Sequence, residues 1–326
     1  MYRHVCVGAL LCLSPFLRPR PPCLKGAVTE GDWGVVVLSL RHFVTPPSSE
    51  GGFLPAIILQ ITLFVSVKEE DLYRRIYFLL SPCYDKQKGG DDMRFCDQTK
   101  KKAITFSYDD GVTQDIRLIE LLNKYNLKCT FNLNSELLAH KGMLMRNGLR
   151  ISHYKVHPDD VKSIYDGHEM AVHTLTHPNL TRCEDAEVIR QVETDRLHLS
   201  ELVGYEVVGM AYPCGGVNND DRVADIIKKH TGVKYSRTIT TNSSFDLQEN
   251  LYRFDPTAYH LDFEELMALG EAFLALKPET PKLFYIWGHS YEMDYGPDYW
   301  VKLEDFFKLI SNKDDIFYGT NKEVLL

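Results

Sequence analysis

Two adjacent carboxylates and a spaced pair of histidines are the residues of this chain whose types and spacing could do chemistry. Asp109 and Asp110 close the stretch Ala103-Ile104-Thr105-Phe106-Ser107-Tyr108-Asp109-Asp110-Gly111, an apolar run that reads as a short strand ending in two like charges and a glycine. Such a pair is tolerable in a partly buried cleft only with a cation between or near the charges. His173 and His177, in His173-Thr174-Leu175-Thr176-His177-Pro178, offer the complement. One carboxylate oxygen and two imidazole nitrogens, from Asp110, His173 and His177, form a donor set typical of catalytic zinc and related divalent metals, which keep further positions open for water. The histidine pair lacks the glutamate of His-Glu-x-x-His and stands before Pro178, which argues against the helical metalloprotease arrangement. Taken singly, the Asp-Asp-Gly is an ordinary turn and the histidines ordinary surface groups. Taken together at strand ends, they read as one metal site.

The elements that must position these groups alternate from residue 93 onward. Strands are expected at 103–108, 128–132, 169–174, 207–212, 235–240, 283–289 and 316–318, and helices at 114–126, 184–203, 220–230, 262–276 and 303–310, with a polar, less regular segment at about 135–160. Alternation of this kind implies parallel strands with right-handed crossovers. Closed into a barrel, such units carry their active site at the carboxyl ends of the strands. Asp109 and Asp110, His173 and His177, the stretch from Tyr212 to Gly216, and His289 all fall at such ends, so one shared site is expected.

Composition bounds the partners. A chain of 326 residues, 44% hydrophobic, can bury a substantial core, and its formal net charge of −8 argues against nucleic acid as the main partner. A neutral or cationic substrate fits better. The eight cysteines include no Cys-x-x-Cys pair and read as individually reduced thiols, so a cytoplasmic location is expected, with secretion as the alternative.

Residues 1–92 differ from the rest. They hold eight of the fifteen prolines and four of the eight cysteines, with ten Lys and Arg against nine Asp and Glu. Residues 5–17 are apolar after Arg3, but Arg18-Pro19-Arg20-Pro21-Pro22 gives no small-residue cleavage pattern. Residues 53–67 form a second apolar run, interrupted by Pro55 and Gln60 and short of the ~20 residues a bilayer needs, so no stable membrane span is expected. The expected organisation is an N-terminal extension of unclear structure over 1–92, outside the functional fold, and a catalytic domain over 93–326 whose natural start is Met93.

Ser107-Tyr108-Asp109-Asp110-Gly111 and His173-Thr174-Leu175-Thr176-His177-Pro178, in this order and separation, resemble the first two motifs of polysaccharide deacetylases, the NodB homology domain of carbohydrate esterase family 4, over roughly residues 99–326. The resemblance implies an α/β fold, a distorted, TIM-like (β/α) barrel of about seven strands. It implies that Asp109 is the general base, that Asp110, His173 and His177 hold a divalent metal, and that His289, in Ile286-Trp287-Gly288-His289-Ser290, is the general acid. Zinc is the first candidate, with cobalt, nickel or manganese as alternatives. The third motif departs from the family pattern Arg-Pro-Pro-Tyr-Gly: here it is Ala211-Tyr212-Pro213-Cys214-Gly215, so the arginine that braces the base is missing; Arg253 and Arg237 are candidates to approach from a neighbouring loop, and the sequence does not decide what replaces it. The Cys214 main-chain N–H remains able to serve an oxyanion, a role that needs no particular side chain. The fourth motif is not recognisable, and Asp255 and Asp294 are the candidates to hold His289. Tyr108, Tyr212, Trp287, Tyr291, Tyr295 and Trp300 lie near the motifs as aromatic faces for a sugar ring or as core, with Tyr212 and Trp287 the expected substrate contacts.

The reading that follows is a metal-dependent hydrolase that removes the N-acetyl group of an N-acetylated carbohydrate. Two alternatives stay open: action on a small non-sugar amide on the same fold, and a non-catalytic carbohydrate-binding descendant. Retention of Asp109, the metal trio and His289 speaks against the last, because binding alone requires neither a base nor an acid.

Overall fold

The computed structural model describes residues 99–326, preceded by Phe95, Asp97 and two short strands, Gly34–Val35 and Ser66–Val67. The chain separates into two compact units, Met1–Asp85 and Lys86–Leu326. In the first, the described residues pair antiparallel, Gly34 opposite Val67 and Val35 opposite Ser66. The leader-like run at 5–17, the apolar run at 53–67 apart from Ser66–Val67, and the start at Met93 lie outside the described residues.

The second unit is built on a parallel sheet. Its strands are β1 (Lys102–Asp109), β2 (Cys129–Leu133), β5 (Glu169–Val172), β6 (Gly209–Ala211), β7 (Tyr235–Arg237), β8 (Ala258–Tyr259), β9 (Lys282–Gly288) and β10 (Ile316–Tyr318). The spatial order is β8-β9-β1-β2-β5-β6-β7, with β10 beside the first half of β1 and β2 beside its second half. The longest register runs from Lys282 opposite Lys102 to Gly288 opposite Tyr108. Residues 254–259 touch both edges of this sheet: Phe254 bridges Arg237 of β7, while Ala258 and Tyr259 pair with Ile286 and Trp287 of β9. The sheet therefore curls into the distorted (β/α) barrel expected from the sequence.

Parallel strands are buried on both faces, and β1 is buried at every position. Period-2 alternation divides its side chains. Ile104, Phe106 and Tyr108 face the helices, where Phe106 meets Phe306 and Phe307 edge to face. Ala103, Thr105, Ser107 and Asp109 face the barrel interior with Tyr235, Arg237 and Tyr285. The helices that cover the outside include α1 (Asp115–Lys124), α5 (Asp221–His230), α6 (Phe263–Ala275) and α7 (Tyr299–Ile310). The last helix, α8 (Asn321–Leu325), closes the amino-terminal end of the barrel: Asn321 accepts from Thr105 Oγ1 (2.9 Å) and donates to Tyr285 (2.6 Å), and Glu169 accepts from Thr130, Tyr235 and the Lys322 main chain.

The segment at 135–160 differs from its expectation. It holds an antiparallel hairpin, β3 (Lys141–Arg146) and β4 (Leu149–Tyr154), followed by α2 (Pro158–Ile164). Asn147 and Gly148 both have positive φ, 49° and 78°, as a two-residue hairpin turn requires. The hairpin is largely exposed, and Leu144 and Ile151 pack with Val112, Tyr291 and Tyr295. Its end joins the loop after β1: Val112 bridges Lys155, and the Val156 N–H donates to the Gly111 carbonyl (2.9 Å).

Gly111 makes that loop possible. Its φ is +61°, and a Cβ there would stand 2.5 Å from Leu133 Cγ. Gly111→Ala is expected to cost about 1–3 kcal/mol through strain and overpacking, read from the denaturant midpoint. An unchanged midpoint would contradict this account of the turn.

Candidate active site

Asp109 is the last residue of β1, and Asp110 turns the chain out of the strand with φ +84°. The two adjacent carboxylates therefore leave the strand end in different directions and meet different partners. Asp109, 1% exposed, is gripped by Arg237, the last residue of β7: one guanidinium nitrogen reaches both its oxygens at 2.5 Å. Asn132 Nδ2 is a second donor, at 2.8 Å. Arg237 also donates from Nε to Ser107 Oγ (3.1 Å) and lies 4.7 Å over the Trp287 ring. Arg237 thus occupies the bracing position left open by Ala211, reached from the neighbouring strand. Arg253 instead pairs with Asp221 at 2.6 Å. Burial raises the Asp109 carboxyl, but Arg237, with His173 and His289, outweighs it and holds it below the usual carboxylate range.

The metal-type donors of Asp110, His173 and His177 lie within 4.8 Å of one another. His173 follows β5, and its main-chain N–H donates to Leu133 O (2.9 Å) and Asp195 Oδ2 (3.2 Å). Its Nδ1 is within 2.9 Å of the Ala211 carbonyl, an arrangement that fixes the ring and leaves Nε2 for a ligand. Burial pushes the His173 imidazolium down to about 4 and lowers His177 too, so both rings are neutral at pH 7, as metal ligands must be. The loop between them is held by an irregular helix. α3 (Asp185–Ile189) passes through a π-turn, Arg190–Thr194, into α4 (Asp195–Val203). Within the turn the Gln191 carbonyl accepts from Leu175 N–H (3.1 Å), and Gln191 Oε1 accepts from Thr176 N–H (3.1 Å). This donor set fits a divalent cation.

His289, just past β9, faces the same cleft. Its Nε2 lies 4.0 Å from Asp109 Oδ2, and its Nδ1 lies 3.0 Å from Glu292 Oε2. Burial opposes the charged ring, but Glu292, together with Asp109 and Asp110, raises its pKa to about 9. Glu292 is itself fixed by His260 Nε2 (2.8 Å) and the Tyr259 hydroxyl (2.5 Å). The partner of His289 is therefore neither Asp255 nor Asp294. Asp255 accepts from Thr238, and Asp294 accepts from Gln114 and the Trp300 indole. A glutamate three residues past the histidine, inside a short 3₁₀ turn, was the available signal.

Asp109, Asp110, His173, His177 and His289 line one cleft of about 270 Å³ with Tyr212, Cys214, Gly215, Ile239, Trp287 and Tyr291. The Tyr212 hydroxyl points away, donating to Tyr252 O (2.7 Å), so its ring alone is presented. Cys214 has φ +71°, and its main-chain N–H donates to no group among the described residues. Burial pushes its thiol up, which keeps the sulfur protonated. Tyr108 and Trp300 are core residues, and Tyr295 packs under the hairpin beside Arg146.

Arg237→Leu leaves Asp109 as an unpaired buried charge and is expected to cost about 3–5 kcal/mol, read by urea unfolding. A loss below 1 kcal/mol would show that Arg237 is not the partner on which Asp109 depends.

Residues 97–235 match the family model described as polysaccharide deacetylase. That segment contains Asp109, Asp110, His173, His177 and Cys214 and stops short of Arg237 and His289. Among known proteins, the chitooligosaccharide deacetylase of Bradyrhizobium sp. (strain ANU 289) is 29% identical over 102 residues, 30% of this chain and 39% of the relative. The peptidoglycan-N-acetylglucosamine deacetylase PgdA of Listeria monocytogenes is 26% identical over 120 residues, 36% of this chain and 22% of the relative. The chain thus spans less than half the length of these curated relatives. Among solved structures, Puue allantoinase shares the fold, with TM-score 0.53 and 12% identity over 74% of this chain and 94% of that one. Through residues 97–235 the chain is thus similar to the polysaccharide deacetylase family, and its barrel is of the kind seen in the allantoinase structure.

Proposed function

We propose that this protein is a divalent-metal-dependent deacetylase that hydrolyses the N-acetyl amide of an N-acetylated sugar or polysaccharide. One observation carries the reading: Asp109 Oδ2 stands 4.0 Å from both His173 Nε2 and His289 Nε2, a carboxylate between a three-donor cluster and a charged imidazole. A non-catalytic binding fold has no need of that arrangement. The names of the matched relatives, which act on chitooligosaccharide and peptidoglycan N-acetylglucosamine, support the carbohydrate class.

A cation held by Asp110, His173 and His177, with zinc the first candidate and cobalt, nickel or manganese the others, would supply Lewis-acid polarisation of the attacking water and the acetamide carbonyl. Asp109 takes the proton of that water, with Arg237 and Asn132 fixing its plane. The Cys214 N–H, on the wall of the cleft and without an acceptor among the described residues, would be the donor to the developing oxyanion. His289 gives its Nε2 proton to the departing nitrogen while Nδ1 stays on Glu292. Water and amide become acetate and amine. The Trp287, Tyr212 and Tyr291 rings wall the cleft on which a sugar ring would rest.

Acetate release from N-acetylglucosamine oligomers is expected to require added metal and to vanish on chelation. Asp109→Asn is expected to lower turnover at least ~100-fold with metal content unchanged. The modest volume of the cleft also suits a small non-sugar amide, and metal binding without acetate release would move the substrate search there. Because Glu292 favours the protonated ring, activity should fall as pH rises through about 9, and Glu292→Gln should shift that limb to lower pH. A limb that stays in place in Glu292→Gln would remove His289 as the acid.

A further inference from the structure

One buried cation takes no part in the chemistry above. Lys155 is 7% exposed, yet its Nζ lies 2.6 Å from the Asp110 carbonyl oxygen, 2.9 Å from Asp110 Oδ1 and 3.4 Å from Asn134 Oδ1. From the same hairpin, His153 Nε2 lies 3.3 Å from Asp110 Oδ2. The delivery is structural: Lys155 is the residue after β4, and its backbone bridges Val112 in the loop that follows the two aspartates. Residues 137–158 contain no Asp or Glu although the chain as a whole is acidic, so the hairpin brings positive charge to the cleft without any acid of its own.

The ammonium and the metal donors converge on one atom. Asp110 Oδ1, 2.9 Å from Lys155 Nζ, is also the oxygen 3.9 Å from His177 Nε2. A dication in the cluster would share that oxygen with an existing positive charge, and like charges at such range repel strongly where water is scarce. Without Lys155, by contrast, Asp110 would be buried and short of a counter-charge whenever no metal was bound. Burial acts to raise the Asp110 carboxyl, but Lys155 and His153 overcome it and hold it well below the usual range.

We infer that Lys155 is a built-in counter-cation of Asp110: it holds the ligand in place in the metal-free protein and weakens its hold on the metal, which keeps the ion exchangeable. It is a positioning residue, and the inference rests on the metal reading of the site. The sign of the effect separates it from a merely structural role. Loss of a structural support disorders Asp110 and weakens metal binding, whereas loss of a competing cation tightens it.

The test is a chelator-competition titration of zinc, and separately of cobalt, on the full chain as wild type, Lys155→Met and Lys155→Gln. Gln keeps a donor for the Asp110 carbonyl without the charge, and either variant can be refolded with zinc present and then stripped. Both variants are expected to bind each metal at least tenfold more tightly than wild type. Metal-free Lys155→Met should also melt below metal-free wild type, with the gap closing on zinc addition. Equal or weaker affinity in both variants would overturn the inference and leave the metal site standing. Binding by none of the three proteins would overturn it together with the metal reading.

Discussion

Two negative charges share one buried strand end, and the rest of the site is arranged around that fact. Neither Asp109 nor Asp110 could remain ionised in so dry a place without a cation, and the fold supplies a different one to each. Arg237 comes from the barrel wall on β7 and takes Asp109; Lys155 comes from a hairpin outside the barrel and takes Asp110. The separation depends on Asp110 itself, whose left-handed backbone turns the second carboxylate away from the first. Different environments give the paired groups different settings: one carboxylate is held by a guanidinium nitrogen and faces His289, and the other is placed among the histidines.

The site is held in order by distortions that ordinary strands and helices would not show. Asp110, Thr174, His177 and Cys214 all have positive φ, at 84°, 69°, 61° and 71°. Each costs on the order of 1–2 kcal/mol for a residue with a side chain, and surrounding bonds offset that cost. The π-turn at Arg190–Thr194 leaves Gln191 free to hold Leu175 and Thr176, and Asp195 holds the His173 main chain. Strain and its supports lie together at the carboxyl ends of the strands, where donors fixed before substrate arrives lower the reorganisation the reaction requires.

The sequence was most legible where side-chain period and chemistry agreed. The parallel sheet followed from alternating strand and helix patterns and the barrel from the motif resemblance, and Asp109, Asp110, His173, His177 and His289 stand at strand ends where those patterns place them. The hairpin at 141–154 was missed because its two strands have little buried face to alternate against, and the Asn147-Gly148 turn was the overlooked signal. Lys155 could not be recognised without that hairpin. Arg237 was one of two candidates, and its choice over Arg253 is a matter of register: Ser107, Asp109 and Arg237 share the inward face, which a linear pattern does not report. Glu292 was hidden for a plainer reason. Asp255 and Asp294 were the candidates, and the carboxylate that holds His289 has one more methylene.

The central claim is a division of labour between neighbouring aspartates, with a metal ion on one side only. Anomalous diffraction at the zinc edge from zinc-soaked crystals of the full chain tests it directly. The account predicts a single strong peak ~2.0–2.2 Å from Asp110, His173 Nε2 and His177 Nε2, with Asp109 still paired to Arg237 and outside the coordination shell. A peak that draws Asp109 in as a ligand, or no peak among the three donors, would contradict it.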